Sequence, residues 1–457
     1  MSENTMSPFK VIIVGSGLAG SLLANGLARH QIDFQVYERQ EKNSKREGFH
    51  IRLGESAMIG MRACLTQEHI DSISKSFACS SFMESPILYD KNFQKVFEPS
   101  KLPYYQPSTP INRVSLRDSL WEPLMEMGRI HFEKRFLEYE VFYNEDRQLI
   151  RVVFDDGTVD TCDVLIGADG GGSKVNRLVG LQNLEELKFF RPFFSKQHLS
   201  VSRLRQLPED FITPVNTVEN DIGLFFSVYV PRSMERIIQD PQAKTDREGI
   251  TAMLGMGWYS HQMPQNFDDL TLEEKWDAVS SLIRDWSSKH HEIIDMFRGQ
   301  EMYQYTSKVS SRPQPHWRER VASPDDQRLG NPHVWLIGDA MHAMLPARGM
   351  GGNQAMLDSA DALPLLAELA GKSSTGSLRQ EDFAAACEAY ERAVIPRAFK
   401  WVEQSGGRNP TMIDTSKLTD RAFLRMMTFN ASVMRLWNWL KSQIFGPNSS
   451  KQTVELL

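Results

Sequence analysis

The sequence predicts an α/β fold: a parallel sheet interrupted by an inserted, mainly antiparallel β domain and followed by a helical C-terminal segment. Three observations lead there. The run Phe9-Lys10-Val11-Ile12-Ile13-Val14 passes through a glycine-rich turn into an apolar helix. Two later buried-strand patterns, Val164-Leu165-Ile166 and Val334-Trp335-Leu336-Ile337, also end in turns of Gly and Asp. Between about 181 and 320 the composition shifts toward Phe, Tyr, Trp and Met, with two strand-like runs.

Length and charge narrow the function. A chain of 457 residues exceeds one ordinary core. Its 41% hydrophobic and 24% charged residues match a soluble globular protein. The net charge of −6 is modest and interspersed, without the basic stripe of a nucleic-acid binder. Cys64, Cys79, Cys162 and Cys387 are scattered, with no metal-ligand spacing, and read as reduced thiols of a cytoplasmic protein. No signal peptide and no bilayer-length apolar run is legible, and no metal is expected.

Taken in order, Lys10 to Val14 is the first strand and Ser21 to Ala28 lies in a buried helix. Phe34-Gln35-Val36-Tyr37 is a second strand ending at Glu38. Residues 111–125 read as a helix. Leu149 to Phe154 and Val159 to Cys162 form a hairpin turning at Asp156-Gly157. In the middle region, Gly223 to Val230 and Ile250 to Tyr259 read as strands. A charged amphipathic stretch, Leu272 to Phe297, separates them from a last run near Met302 to Val309. The helix beginning at Asn353 contains Pro364, where a kink or break is expected.

Gly15-Ser16-Gly17-Leu18-Ala19-Gly20 fits G-x-G-x-x-G between a strand and a helix. The glycines allow a tight turn, close approach of the backbone to a pyrophosphate, and close packing of helix on strand, with the helix N-terminus facing the negative charge. Glu38, with Arg39 beside it, ends the second strand about 20 residues on, where a carboxylate accepts from ribose hydroxyls. A carboxylate there argues against a 2′-phosphate, and so against NADP at this particular site. The motif alone leaves FAD and NAD(P) both open.

Two further strand ends and one helix carry a family resemblance. Asp163-Val164-Leu165-Ile166-Gly167-Ala168-Asp169-Gly170, with Ser173 and Arg177 after it, resembles the DG motif of class A flavoprotein monooxygenases, the single-component para-hydroxybenzoate hydroxylase type. The run from Gly338-Asp339 through Pro346-Ala347-Arg348-Gly349-Met350-Gly351-Gly352-Asn353 resembles their GD motif and the glycine loop after it. Arg113, in Asn112-Arg113-Val114, matches the family's helix arginine.

The resemblance implies a Rossmann-like FAD-binding domain (GR2-type) with non-covalent FAD, NADPH or NADH as electron donor and O2 as co-substrate. It implies that Asp339 and Arg113 hold the ribityl-pyrophosphate region and that the loop from Pro346 through Gly349, Gly351, Gly352 and Asn353 faces the flavin pyrimidine edge. Asp169 would help hold FAD, and Arg52, in the loop 48–52, would contact the flavin. The implied reaction places one oxygen atom, by way of a flavin C4a-hydroperoxide, on an electron-rich aromatic substrate. The nearest members are fungal and actinobacterial enzymes that tailor secondary metabolites. Epoxidation of an alkene or indole, or a non-oxygenating FAD oxidoreductase, are the alternatives. His342, inside the GD segment, reads as structural rather than as a base.

On this reading residues 1–75, 111–180 and 326–400 form the FAD-binding domain, 76–110 and 181–325 the substrate domain, and 401–457 a helical tail. Phe225, Phe226, Tyr229, Met253, Met256 and Trp258 fall on the middle strands. Phe226, Tyr229, Met256 and Trp258 are the candidate pocket for a fairly large small-molecule substrate, aromatic or polycyclic. Arg191 and Tyr229 are the candidate anchors of a phenolate. The tail from Arg421 to Phe445 reads as an amphipathic helix docked on the protein's own core, with contact to a membrane surface as the alternative. Monomer and homodimer both remain open.

Overall fold

A computed structural model describes residues 9–44, 49–102, 105–145, 147–240, 249–264, 266–408 and 413–445. Five parallel strands form the first sheet, in the order Val334–Leu336, Val164–Gly167, Lys10–Val14, Asp33–Tyr37 and Ile130–His131. The strands lying between neighbours have no solvent face, which is why they read as unbroken apolar runs: Val11, Ile12 and Ile13 are fully buried, as are Val164, Leu165 and Ile166.

The helices Leu18–Arg29, Glu55–Cys64, Arg113–Glu126 and Gly351–Ser374 share one core with this sheet. Asn112 starts the 113–126 helix by accepting from the amides of Val114 and Ser115, and residues 109–112 before it form a short strand rather than the first turn. The 351–374 helix runs unbroken through Pro364. The lost hydrogen bond is outweighed because Leu363, Leu366 and Leu369 lock that turn into the core.

The hairpin at Asp156-Gly157 is present, Gly157 supplying φ +81°, and Phe136–Asn144 extends it to a three-stranded sheet. A second, seven-stranded sheet runs in the order Tyr303–Gln304, Phe190–His198, Thr251–Tyr259, Ile222–Tyr229, Val215–Glu219, Ile87–Tyr89 and Lys95–Phe97. Its last two strands come from the 76–110 region. The helices Leu272–Leu282 and Ser288–Phe297 back one face of it, with Trp276, Ile293, Ile294 and Phe297 fully buried between them.

The helix Leu418–Phe445 follows, with Leu424 and Ala431 buried against the Lys95–Phe97 strand. All four cysteines are buried and unpaired. Among the described residues, no helix is long and apolar enough to cross a membrane, and no cluster of His, Cys, Asp or Glu could hold a metal.

Candidate functional site

The first strand delivers the glycine turn against the end of its neighbour. Gly15 has φ +103°, and a Cβ there would lie 2.3 Å from the carbonyl oxygen of Ala168. A Cβ on Gly20 would lie 2.1 Å from the Gly15 carbonyl oxygen. Both positions exclude any side chain, whereas a Cβ on Gly17 would meet nothing within 4 Å. Gly17 is the cap of the 18–29 helix and offers no side-chain cap, so the first-turn amides face an open concavity suited to an anion. Glu38 stands across this turn: one carboxylate oxygen accepts from the Ser16 amide at 2.8 Å and hydroxyl at 2.9 Å, the other from the Gln40 amide at 2.9 Å.

Two other stretches meet that turn. Gly338, with φ +60°, ends the strand Val334–Leu336 and places Asp339 at the start of a one-turn helix on the exposed side. The Gly338 amide donates to Asp358 at 2.8 Å; Asp358 also contacts His342 at 2.6 Å and accepts from Arg397 at 2.8 Å. Both His342 and Asp358 are fully buried. Burial opposes charge on each, yet their contact outweighs it, holding His342 above and Asp358 below the usual range. His342 is thus a strut of the turn.

A Cβ on Gly351 would lie 3.9 Å from Asp339 Oδ1, and one on Gly352 would lie 3.5 Å from Leu18 Cδ1 and 3.9 Å from Ile51 Cδ1. Three distant segments therefore converge around one space. Asn353 fastens a fourth: it accepts from the Gly54 amide at 2.7 Å and donates to the carbonyls of Arg52 at 2.8 Å and Gly349 at 2.9 Å. Arg113 enters beside it, its amide donating to the Phe49 carbonyl at 3.0 Å.

The strand His50–Leu53 joins this cradle to the seven-stranded sheet. His50 reaches Ser227 at 3.3 Å and Thr251 at 2.6 Å, and Phe49 packs on Phe194 at 4.7 Å between ring centroids. Antiparallel register places Phe225 opposite Gly255, Ser227 opposite Met253, and Phe194 opposite Gly255, so these residues share the sheet face that meets the cradle. Phe194 lies flat over Gly255, where a Cβ would approach its ring to 2.6 Å. Burial holds the His50 imidazole down to about 3, so it is neutral at ordinary pH.

Comparison with known proteins agrees with this geometry. The family model for an FAD binding domain matches residues 296–395. An FAD-dependent monooxygenase of Trichoderma harzianum, thnD, is 24% identical over 421 residues, covering 86% of this chain and 91% of that protein. The dual O-methyltransferase/FAD-dependent monooxygenase elcB of Phaeosphaeria nodorum is 23% identical over 441 residues, and the chain spans only 45% of its length. The chain is thus similar, over most of its length, to FAD-dependent monooxygenases. The fold of the chain matches that of Klebsiella pneumoniae HpxO, solved with FAD and uric acid, at a TM-score of 0.66 and 18% identity over 97% of this chain and 99% of that one.

Within this fold, the candidate cofactor residues read from sequence fall into three groups. Gly15, Gly17, Leu18, Ala19, Gly20 and Glu38 form the turn, with Arg39 exposed beside it. Asp339, Gly351 and Gly352 gather beside Leu18, Asn353 ties Gly349 to residues 52–54, Pro346 opens the short turn before Gly349, and the Arg113 amide meets the Phe49 carbonyl. Two are otherwise engaged. Asp169 caps its own following helix through Ser173 and the Lys174 amide, and burial raises its pKa. The Arg52 guanidinium turns toward the other domain, donating to Ser108 Oγ and to the carbonyls of Ser108 and Met83. Gly48 lies outside the described residues.

The substrate-side expectations need correction. Arg191 stands opposite Trp258 and Tyr229 opposite Thr251, seven residues apart along one strand, or about 23 Å. They also lie on opposite faces. Arg191 is exposed and paired with Asp268 at 3.0 Å, while the Tyr229 hydroxyl donates to the Ser76 carbonyl. Phe226, Met256 and Trp258 belong to the helix-backed core: Phe226 packs on Phe211 and Phe297, Trp258 on Phe193 and Phe267.

Strand alternation is the reason. Even-numbered side chains of both central strands point to the helices and odd-numbered ones to the cradle, so Phe225 and Met253 replace Phe226 and Met256. Phe49, His50 and Phe194 were not singled out from sequence. The glycines at 255 and 257, alternating along one strand, are the signal that marks the face where other rings lie down.

Proposed function

We propose that this chain is an NAD(P)H-consuming hydroxylase that places one oxygen atom from O2 on an aromatic or other electron-rich substrate held between the cradle and the seven-stranded sheet. The observation that carries the reading is the sheet face of Phe225, Met253 and Phe194 turned to the strand His50–Leu53, which also borders Gly352.

FAD, if bound in this cradle, would supply the redox chemistry that links a nicotinamide donor to O2. The residues' own work is positional. The first-turn amides after Gly17 and the Arg113 guanidinium would pair with the pyrophosphate, Glu38 with ribose hydroxyls, and Asp339 with the ribityl chain. The amides at the start of the 351–374 helix would stabilise the negative charge that reduction puts on the pyrimidine edge. Phe49, Phe194, Phe225 and Met253 would exclude water from the reacting edge and favour a flat apolar ring. Family resemblance points to a secondary-metabolite substrate.

The test is product mass in 18O2 with NADPH or NADH. One 18O per product, with NAD(P)H loss stimulated by substrate, supports the proposal. Loss of two hydrogens without 18O would assign a dehydrogenase instead, and 18O gained without an exchangeable proton would assign an epoxidase.

A further inference from the structure

The C-terminal helix Leu418–Phe445 has two unlike sides. Leu424 and Ala431 are buried where it lies along the Lys95–Phe97 strand. On the other side Phe423, Met426, Phe429, Val433 and Trp437 are all exposed, Phe429 by 68% and Trp437 by 59%. At 100° per residue these five fall within an arc of about 120°, and at 1.5 Å rise they run along about 20 Å of helix. They are five of the exposed large apolar side chains among the described residues, gathered in one stripe, and such a stripe marks a contact surface.

Charge indicates the occupant. The helix sequence carries four basic residues, Arg421, Arg425, Arg435 and Lys441, against one acidic residue, Asp420, in a chain whose formal net charge is −6; Arg421 pairs with Asp90 of the protein itself at 3.2 Å, which leaves the helix an excess of two positive charges. A second copy would bring the same positive excess to the contact, which disfavours self-pairing. An aromatic and Trp-bearing stripe on a basic helix matches the boundary between lipid headgroups and acyl chains, where rings sit at the interface and cations meet anionic headgroups. We propose that the protein docks by this stripe, lying in the plane of an anionic lipid surface. The buried side keeps the helix attached to the protein, so it offers one face only.

The test uses the full-length protein loaded with FAD and vesicles of phosphatidylcholine, with or without a minority of phosphatidylserine. The proposal expects cosedimentation with the phosphatidylserine vesicles and less with pure phosphatidylcholine. It also expects release on raising salt and a loss of at least about tenfold in the double variant Phe429→Glu, Trp437→Glu, with unchanged FAD content. Both side chains are exposed, so these changes leave the core intact. Arg425→Glu, which spares the stripe, is expected to weaken only the phosphatidylserine-dependent part. Failure of the native protein to bind the anionic vesicles would overturn the proposal, as would undiminished binding by the double variant. A dimer in vesicle-free buffer that the double variant dissolves would also overturn it, assigning the stripe to a second copy.

Discussion

At Gly15 and Gly20 a carbonyl oxygen lies only 2.3 and 2.1 Å from where a Cβ would stand, and this close packing makes the cradle. Gly20→Ala is expected to cost about 1–3 kcal/mol, as overpacking does, and to weaken FAD retention with it; thermal unfolding with and without FAD checks both. Asp339 and Arg113 lie where charge and hydrogen bonding, not packing, would hold the cofactor. Asp339→Ala or Arg113→Ala is expected to leave the fold intact while loosening FAD about tenfold to a hundredfold, from the ~1.5–3 kcal/mol of a hydrogen bond to a charged group. Unchanged flavin content in both variants would remove these residues from the site. The residues of this turn were readable because a tight turn allows so few side chains. Asp169 was less so, since an Asp after a strand caps a helix as readily as it meets a ligand, and here it caps.

Among elements, the two central strands of the large sheet show where sequence reading loses information. Their alternation was legible, but which parity met the helices was not. That depends on Thr217 meeting His290 and on Phe226 meeting Phe297, contacts made across 70 or so residues. Substitutions on the two faces are therefore expected to part company. Phe226→Ala should cost about 3–5 kcal/mol of stability, as deletion of a buried ring does. Phe225→Ala should raise KM for substrate with little change in unfolding midpoint, read by paired denaturant melts and steady-state kinetics. The helix through Pro364 is a related case: local propensity predicted a kink or break, and burial on the core carried the helix on.

At the scale of the whole molecule, burial holds His50 down to about 3, and His290 and His333 to about 4. Each stays neutral in the folded chain while the unfolded chain takes up a proton near pH 6.5. The unfolded state then binds more protons, so stability rises with pH across this window and is lost progressively as pH falls below about 6.5 toward 4. His342, raised by Asp358, has the opposite sign and acts in a separate window, its contribution being lost as pH rises above about 6.5. Urea midpoints between pH 7 and pH 4.5 should fall accordingly. His290→Gln, at a buried ring with one unpaired nitrogen, should flatten the fall by up to about 3 kcal/mol.

The parallel sheet and its three strand-end motifs could be read from the chain because each is local. Their convergence on one space was legible only through the family resemblance, since it depends on contacts such as Asn353 with Gly54 and Arg52 that join segments some 300 residues apart. That convergence is measured most directly by the flavin the protein holds. Protein purified with excess FAD and freed of unbound flavin should be yellow and release about one FAD per chain on acid denaturation, and FAD should raise its unfolding midpoint as a ligand of the native state does. A folded, cooperatively melting preparation that stays colourless in saturating FAD would contradict the account.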